Sequence, residues 1–186
     1  GHRKHIEVLG ELGCLEDLTL RSLTLPNLDV VAPLKKLRSL DIKLGGTRDL
    51  TPLGQMKQIE YLELWMIRGF SDLSEVSGLV GLRYMFLHAL KQVTTLPDLS
   101  GCARLERIDF QTMKGLTHLA PLCTAPALQA LELVDMPQLR FEHLAPLVDH
   151  PTLRAVRVGT GSKKRKAELR ERLGYHDPGP PSMDLR

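Results

Sequence analysis

Half of the eight aromatic side chains in this chain stand in one short stretch at places a core would not use: Tyr61, Trp65, Tyr84 and Phe86. They belong to two phrases, Ile59-Glu-Tyr-Leu62-Glu-Leu64 and Leu82-Arg-Tyr-Met85-Phe-Leu87, in which apolar residues follow the pattern apolar-x-x-apolar-x-apolar. The aromatics occupy the x positions and the place after the phrase, on the side away from the core. His88 stands beside them, Met66 extends them, and Asp41, Glu63, Asp109 and Glu132 recur at one place of successive phrases as an acidic file. Aromatic anchors with a charged rim are the anatomy of a protein-binding hot spot. Tyr and Phe also suit any strand surface, but a contiguous apolar patch carries more meaning than scattered exposed residues. The candidate partner-binding set is therefore Tyr61, Trp65, Tyr84, Phe86, His88, Asp41, Glu63, Asp109 and Glu132. Like charges directly opposite one another destabilise a sheet. The acidic file thus requires either local cations, such as Lys43 and Arg107, or a cationic partner.

Other groups capable of chemistry carry less. Lys163, Lys164, Arg165 and Lys166 form a basic run that could bind phosphate. Four cations in the first turn of a helix oppose its dipole, yet no aromatic interleaves with them for base stacking. A solvated capping helix is the preferred reading. Gly159-Thr-Gly-Ser-Lys163 misses the full phosphate-loop pattern and reads as a turn followed by an N-cap. His118 and His143 hold the same place in consecutive returns, but two imidazoles alone make a poor metal site. Neither a Ser/His/Asp nor a Cys/His set has support, so no catalytic residue, metal or cofactor is expected.

Composition sets the frame. With 186 residues and 42% hydrophobic content, the chain can bury a sizeable core without disulfides. No apolar run is long enough for a membrane span, and the start lacks the apolar segment of a signal peptide. Gly1-His2 resembles a tag remnant. Cys14, Cys102 and Cys123 are widely spaced and odd in number, which favours free thiols and a cytoplasmic location. The net charge is +3, while residues 162–173 hold six basic and two acidic side chains, a local +4 that leaves −1 for the remainder. The body of the molecule is not a general polyanion binder.

The elements that position these residues repeat. The first residue of the phrase recurs at Leu15, Leu37, Ile59, Leu82, Leu105, Leu128 and Leu153, in steps of 22, 22, 23, 23, 23 and 25. Each phrase alternates with period two, as a short strand with one buried face does. Between phrases the apolar period becomes three, as in Leu28, Val31 and Leu34 before Leu37, which suits tight 3₁₀ turns with one buried edge. Prolines such as Pro52, Pro121 and Pro146 fit the first position of short helices.

Seven in-phase copies, with returns such as Asp49-Leu-Thr-Pro-Leu53, resemble leucine-rich repeat proteins of the short internalin-like and actinobacterial bacterial types. The resemblance implies an α/β solenoid: a parallel β-sheet on the concave face and short 3₁₀ or helical returns on the convex face. Most such families place an Asn after every strand to bond the turn. Here that column reads Leu23, Gly45, Ile67, Leu90, Met113, Met136 and Gly161, so the asparagine ladder is absent.

Residues 1–14 are expected to form a partial repeat or an N-terminal cap, residues 15–158 a seven-stranded solenoid, residues 159–174 a C-terminal capping helix, and residues 175–186 a flexible tail. The expected function is non-enzymatic capture of a protein or peptide of basic and apolar character on the concave face. By resemblance, such arrays serve as the sensing or scaffolding part of larger signalling or defence proteins, with further repeats or another domain N-terminal to this stretch. Nucleic acid and membrane are not the expected partners. Two rival readings are an adaptor for nucleic acid or anionic surfaces through the basic helix, and the substrate-recognition part of an enzyme whose catalytic domain lies outside this sequence.

Overall fold

The computed structural model describes residues 6–178. The expected tag remnant and residues 179–186 of the expected tail lie outside them. The phrases form seven strands: β1 (Asp17–Arg21), β2 (Ser39–Lys43), β3 (Tyr61–Trp65), β4 (Tyr84–His88), β5 (Arg107–Gln111), β6 (Ala130–Val134) and β7 (Ala155–Val158). They make one parallel sheet in chain order. Equal steps along the sequence become exact register in space, so Ser39 opposes Tyr61, Tyr61 opposes Tyr84 and Tyr84 opposes Arg107. Each column of the sequence is thus a row of neighbours about 4.8 Å apart.

The fourth and sixth places of the phrases, for example Leu62, Leu64, Met85 and Leu87, are buried on the inner side of the coil. The period-three columns meet them there: Leu28, Val31 and Leu34 are fully buried, as are Leu53, Leu79, Leu99 and Leu122. These apolar rows run the length of the molecule as one continuous core. The convex returns are short 3₁₀ helices at Thr51–Gln55, Ser74–Gly78, Ala120–Thr124 and Ala145–Leu147. Proline stands in the first turn of the first, third and fourth of these, where a missing N–H costs little. Asp49, Asp72 and Asp98 each accept the backbone N–H two residues ahead, of Thr51, Ser74 and Ser100. These side-chain turns start the returns.

The turn that lacks its asparagine is built differently. Directly after six strands, Ser22, Leu44, Met66, Ala89, Thr112 and Asp135 adopt left-handed backbone angles, with φ between 51° and 57°. Such angles disfavour residues with a Cβ by roughly 1 kcal/mol or more each. In return, the first five of these turns extend the sheet's ladder: the N–H of Leu44 donates to Trp65 O and that of Met66 to His88 O, both at 2.9 Å. The place where other solenoids hold asparagine is filled by apolar side chains of the core, Ile67, Leu90, Met113 and Met136. Scattered side chains satisfy the backbone there. The Met113 N–H donates to Met136 Sδ at 3.2 Å, and Gln138 Nε2 donates to Met113 O and Leu116 O at 2.8 and 3.1 Å.

At the start, Ile6–Glu11 forms a 3₁₀ helix whose Ile6 and Leu9 pack half-buried on the core. At the other end, α1 (Phe141–Leu144) is a single turn and α2 (Lys163–Leu173) is the longest helix among the described residues. Ser162 caps α2 by accepting the Arg165 N–H, and Gly174 ends it with φ 70°. Leu169 and Leu173 close over the last coil. Residues 175–178, read from sequence as the beginning of a free tail, instead lie along the edge of β7. His176 O accepts the Val156 N–H at 2.8 Å, and the Tyr175 hydroxyl donates to Leu147 O and Val148 O. The edge strand's unpaired backbone groups supply the reason.

Candidate functional site

The outward places of the strands form a face that is crowded rather than bare. Tyr61 and Tyr84, expected as exposed anchors, are 8% and 2% exposed. Tyr84 meets Tyr61 edge to face, with ring centroids 5.1 Å apart, and the Arg107 guanidinium lies 5.8 Å from its ring centroid. Arg107 on the flanking β5 therefore covers the Tyr84 ring, and the two tyrosines cover each other. Their hydroxyls are spent internally: Tyr61 donates to Glu63 Oε2 at 2.9 Å and Tyr84 to Asp109 Oδ2 at 2.5 Å. Burial pushes both phenols well above the ordinary tyrosine value, and the Glu63 and Asp109 carboxylates add to it.

The acidic file falls into two clusters. On β2 and β3, Lys43 Nζ lies between Asp41 and Glu63, at 2.9 and 2.8 Å. Burial works against the Lys43 ammonium, but its hydrogen bonds to Glu63 and Asp41 outweigh that and hold its pKa above the usual lysine value. On β5 to β7, Arg107 binds Asp109 through Nε (3.0 Å) and reaches Glu132 through Nη2 (3.0 Å), while Arg157 holds Glu132 from the other side at 2.6 Å. Asp109 and Arg107 are 4% and 6% exposed. The second cluster sets Asp109 and Glu132 against two guanidinium groups, with Asp177 4.0 Å from Arg157 Nε as a third carboxylate at its edge. The first keeps an excess negative charge, two carboxylates against one ammonium. Asp17, on β1, lies beside it without an ion pair to any described residue. Phe86 stands between the clusters, opposing Glu63 on one side and Asp109 on the other.

What remains open is smaller than the set read from sequence. Trp65 and His88 stack with ring centroids 5.3 Å apart and planes 5° from parallel, and Phe86 meets His88 edge-on at 6.2 Å. Burial lowers the His88 pKa against the opposing pull of Glu63. Met66 beside them is 47% exposed. Next to this patch lies a groove of about 450 Å³, lined by Asp17, Ser39, Asp41, Lys43, Tyr61, Glu63, Tyr84 and Phe86. Asp17 and Ser39 were missing from the candidate set, although they occupy the same column as Tyr61. Arg157 was likewise missed, although it shares the column of Glu132. Asp109 and Glu132 lie outside the groove.

No group of three or more His, Cys, Asp or Glu suited to a metal ion occurs among the described residues. Cys102 is buried in the core, where burial raises its thiol to about 11. No described helix is long and apolar enough to cross a membrane.

No family model matches the sequence, and no curated protein matches it. Solved structures do. The leucine-rich repeat domain of the type III effector XopL superposes with TM-score 0.66 at 20% identity, over 83% of this chain and 55% of that one. An internalin, InlF, from Listeria monocytogenes gives 0.56 at 18% identity over 83% and 51%. Internalin C2 from the same organism gives 0.52 at 19% identity over 87% and 80%. The chain spans about half the length of the first two. Seven in-register parallel strands, period-three returns and these neighbours agree: the chain has the leucine-rich repeat fold.

Proposed function

We propose that this chain is a non-enzymatic recognition module that captures a protein or peptide on its concave face. The observation that carries the reading is the pairing, on β2 to β4, of a half-buried apolar patch with a groove of residual negative charge. Trp65, Phe86, His88 and Met66 offer a contiguous contact surface, and Asp17, Asp41 and Glu63 outnumber Lys43 beside it. A partner segment with an aromatic or aliphatic residue next to Lys or Arg fits both. Tyr61 and Tyr84 act as the rigid floor of the groove, and Asp109 and Glu132 hold that floor in place through Arg107. Fold likeness to internalins and to an effector's repeat domain supports interaction as the general role. A place within a larger cytoplasmic signalling or defence protein extends that reading.

A displayed peptide library selected on the whole chain tests it. Selected peptides should be enriched in a basic residue beside an apolar one. The Trp65→Ala/Phe86→Ala variant should bind them roughly thirtyfold more weakly, as loss of a hot spot worth about 2 kcal/mol implies. Equal binding by the folded double variant would refute the concave-face assignment.

A further inference from the structure

One place beyond the column that lacks asparagine, successive coils carry Thr24, Gly46, Arg68, Lys91, Lys114, Pro137 and Ser162. Three consecutive coils thus set a cation at the same point of the strand-exit edge, and all three are exposed. The strands before them pair in register, so the cations are neighbours that repel. None of the three forms an ion pair with a described residue. Asp49 and Asp72, close in sequence, are turned onto the backbone N–H groups of Thr51 and Ser74, and Asp135 accepts the Thr112 hydroxyl.

Arg48 adds a fourth positive charge and is held in place. Its Nε donates to Arg68 O at 3.2 Å, and its guanidinium lies over Gly69, where a Cβ would approach Cζ to 2.7 Å. Gly69 also has φ +73°, so only glycine suits both its backbone and its neighbour. Around Arg68 and Lys91 opens a concavity of about 590 Å³, lined also by Gly45, Met66, Gly69 and Phe70 among others, with no carboxylate in its wall. Farther along the same edge, Arg140 and Arg165 both donate to Pro137 O at 2.9 Å, and Lys163 and Lys164 begin α2.

We propose that this edge is a second binding site, for an extended acidic peptide segment whose carboxylates lie against Arg68, Lys91 and Lys114 and whose apolar side chain lies beside Met66. Unpaired like charges kept in one row lose stability unless a ligand of opposite charge offsets them. Arg68 and Lys91 line a recess, which a flat anionic bilayer does not enter, and Lys114 continues their row beyond it. No exposed aromatic stands among them to stack nucleic-acid bases. The site shares Met66 with the concave-face patch but uses neither Trp65 nor Phe86, so the two readings fail separately.

The test is fluorescence anisotropy on the whole chain with a labelled heptapeptide, Glu-Asp-Glu-Leu-Glu-Asp-Glu, at about 50 mM salt so that charge contacts are not screened away. Saturable binding is expected, weakened roughly tenfold in Arg68→Glu/Lys91→Glu, the sum for two exposed contacts each turned from attraction to repulsion. Arg68→Gln/Lys91→Gln should give an intermediate loss, and Trp65→Ala/Phe86→Ala should bind as the parent does. Binding that survives charge reversal, or tighter binding of a single-stranded oligonucleotide or of phosphatidylserine vesicles than of the peptide, overturns the proposal.

Discussion

Replacing Arg107 by methionine tests whether the concave face is held together by its buried charges. Arg107 is 6% exposed and serves Asp109 at 3.0 Å, Glu132 at 3.0 Å and the face of Tyr84. Methionine fills much of the volume but leaves Asp109, itself 4% exposed, with the Tyr84 hydroxyl and no cation. Removing one member of a buried ion pair costs about 3–5 kcal/mol, because the remaining charge is left uncompensated. For a chain of this size that corresponds to a drop in Tm on the order of 10 °C. Glu132 keeps Arg157 at 2.6 Å, so the lower half of the range is expected. Adding Asp109→Asn to Arg107→Met should then recover most of the loss, since the stranded charge is gone. Urea and thermal melts of the parent, both single variants and the double variant close the cycle. A cost below about 1 kcal/mol for Arg107→Met, or no recovery in the double variant, would show that the cluster is ornamental and that the floor of the groove is held by packing alone.

Two further outcomes follow from the geometry. Tyr61, Tyr84 and Tyr175 are all held above the ordinary tyrosine value near 10, mainly by burial, and Lys43 is held above 10.5. Groups with raised folded values contribute stability that is complete below those ordinary values and is lost as pH rises through the folded ones. Phenolate absorbance near 295 nm should therefore appear only together with loss of the circular dichroism signal above pH ~10; phenolate forming near that pH in the folded chain would contradict the buried network. Ala89→Gly should stabilise by up to about 1 kcal/mol, because relief of the left-handed angle at φ 52° outweighs the added freedom of the unfolded chain. A lower Tm in that variant would show that the turn carries no strain.

The solenoid was legible because its signal is repeated seven times: phrase spacing gave the strands, and register turned sequence columns into spatial rows. The faces were legible for the same reason, and Lys43 and Arg107 stood in those columns as partners for the acids. Depth was not legible. Alternation says which side of a strand Tyr61 and Tyr84 take, but not that Arg107 and neighbouring side chains will cover them. Nothing in Ser22, Leu44, Met66, Ala89, Thr112 or Asp135 announces a left-handed backbone, since the position is imposed by the next coil's ladder and not by residue preference. The docking of residues 175–178 rests on a main-chain bond from Val156 and on single contacts of Tyr175 and Arg157, none of which repeats along the sequence.

Phe86 has a consequence for how this surface can change over time. By standing between Glu63 and Asp109 it interrupts the row of charges, leaving one cluster gathered on Lys43 and a separate one gathered on Arg107 and Arg157. Substitutions in separate networks tend to add in their effects, whereas those within one network do not. The β2–β3 side can therefore vary its charge to follow a changing partner without disturbing the Arg107 cluster that supports Tyr84. One phenyl ring lets specificity drift on one side while the scaffold on the other stays fixed.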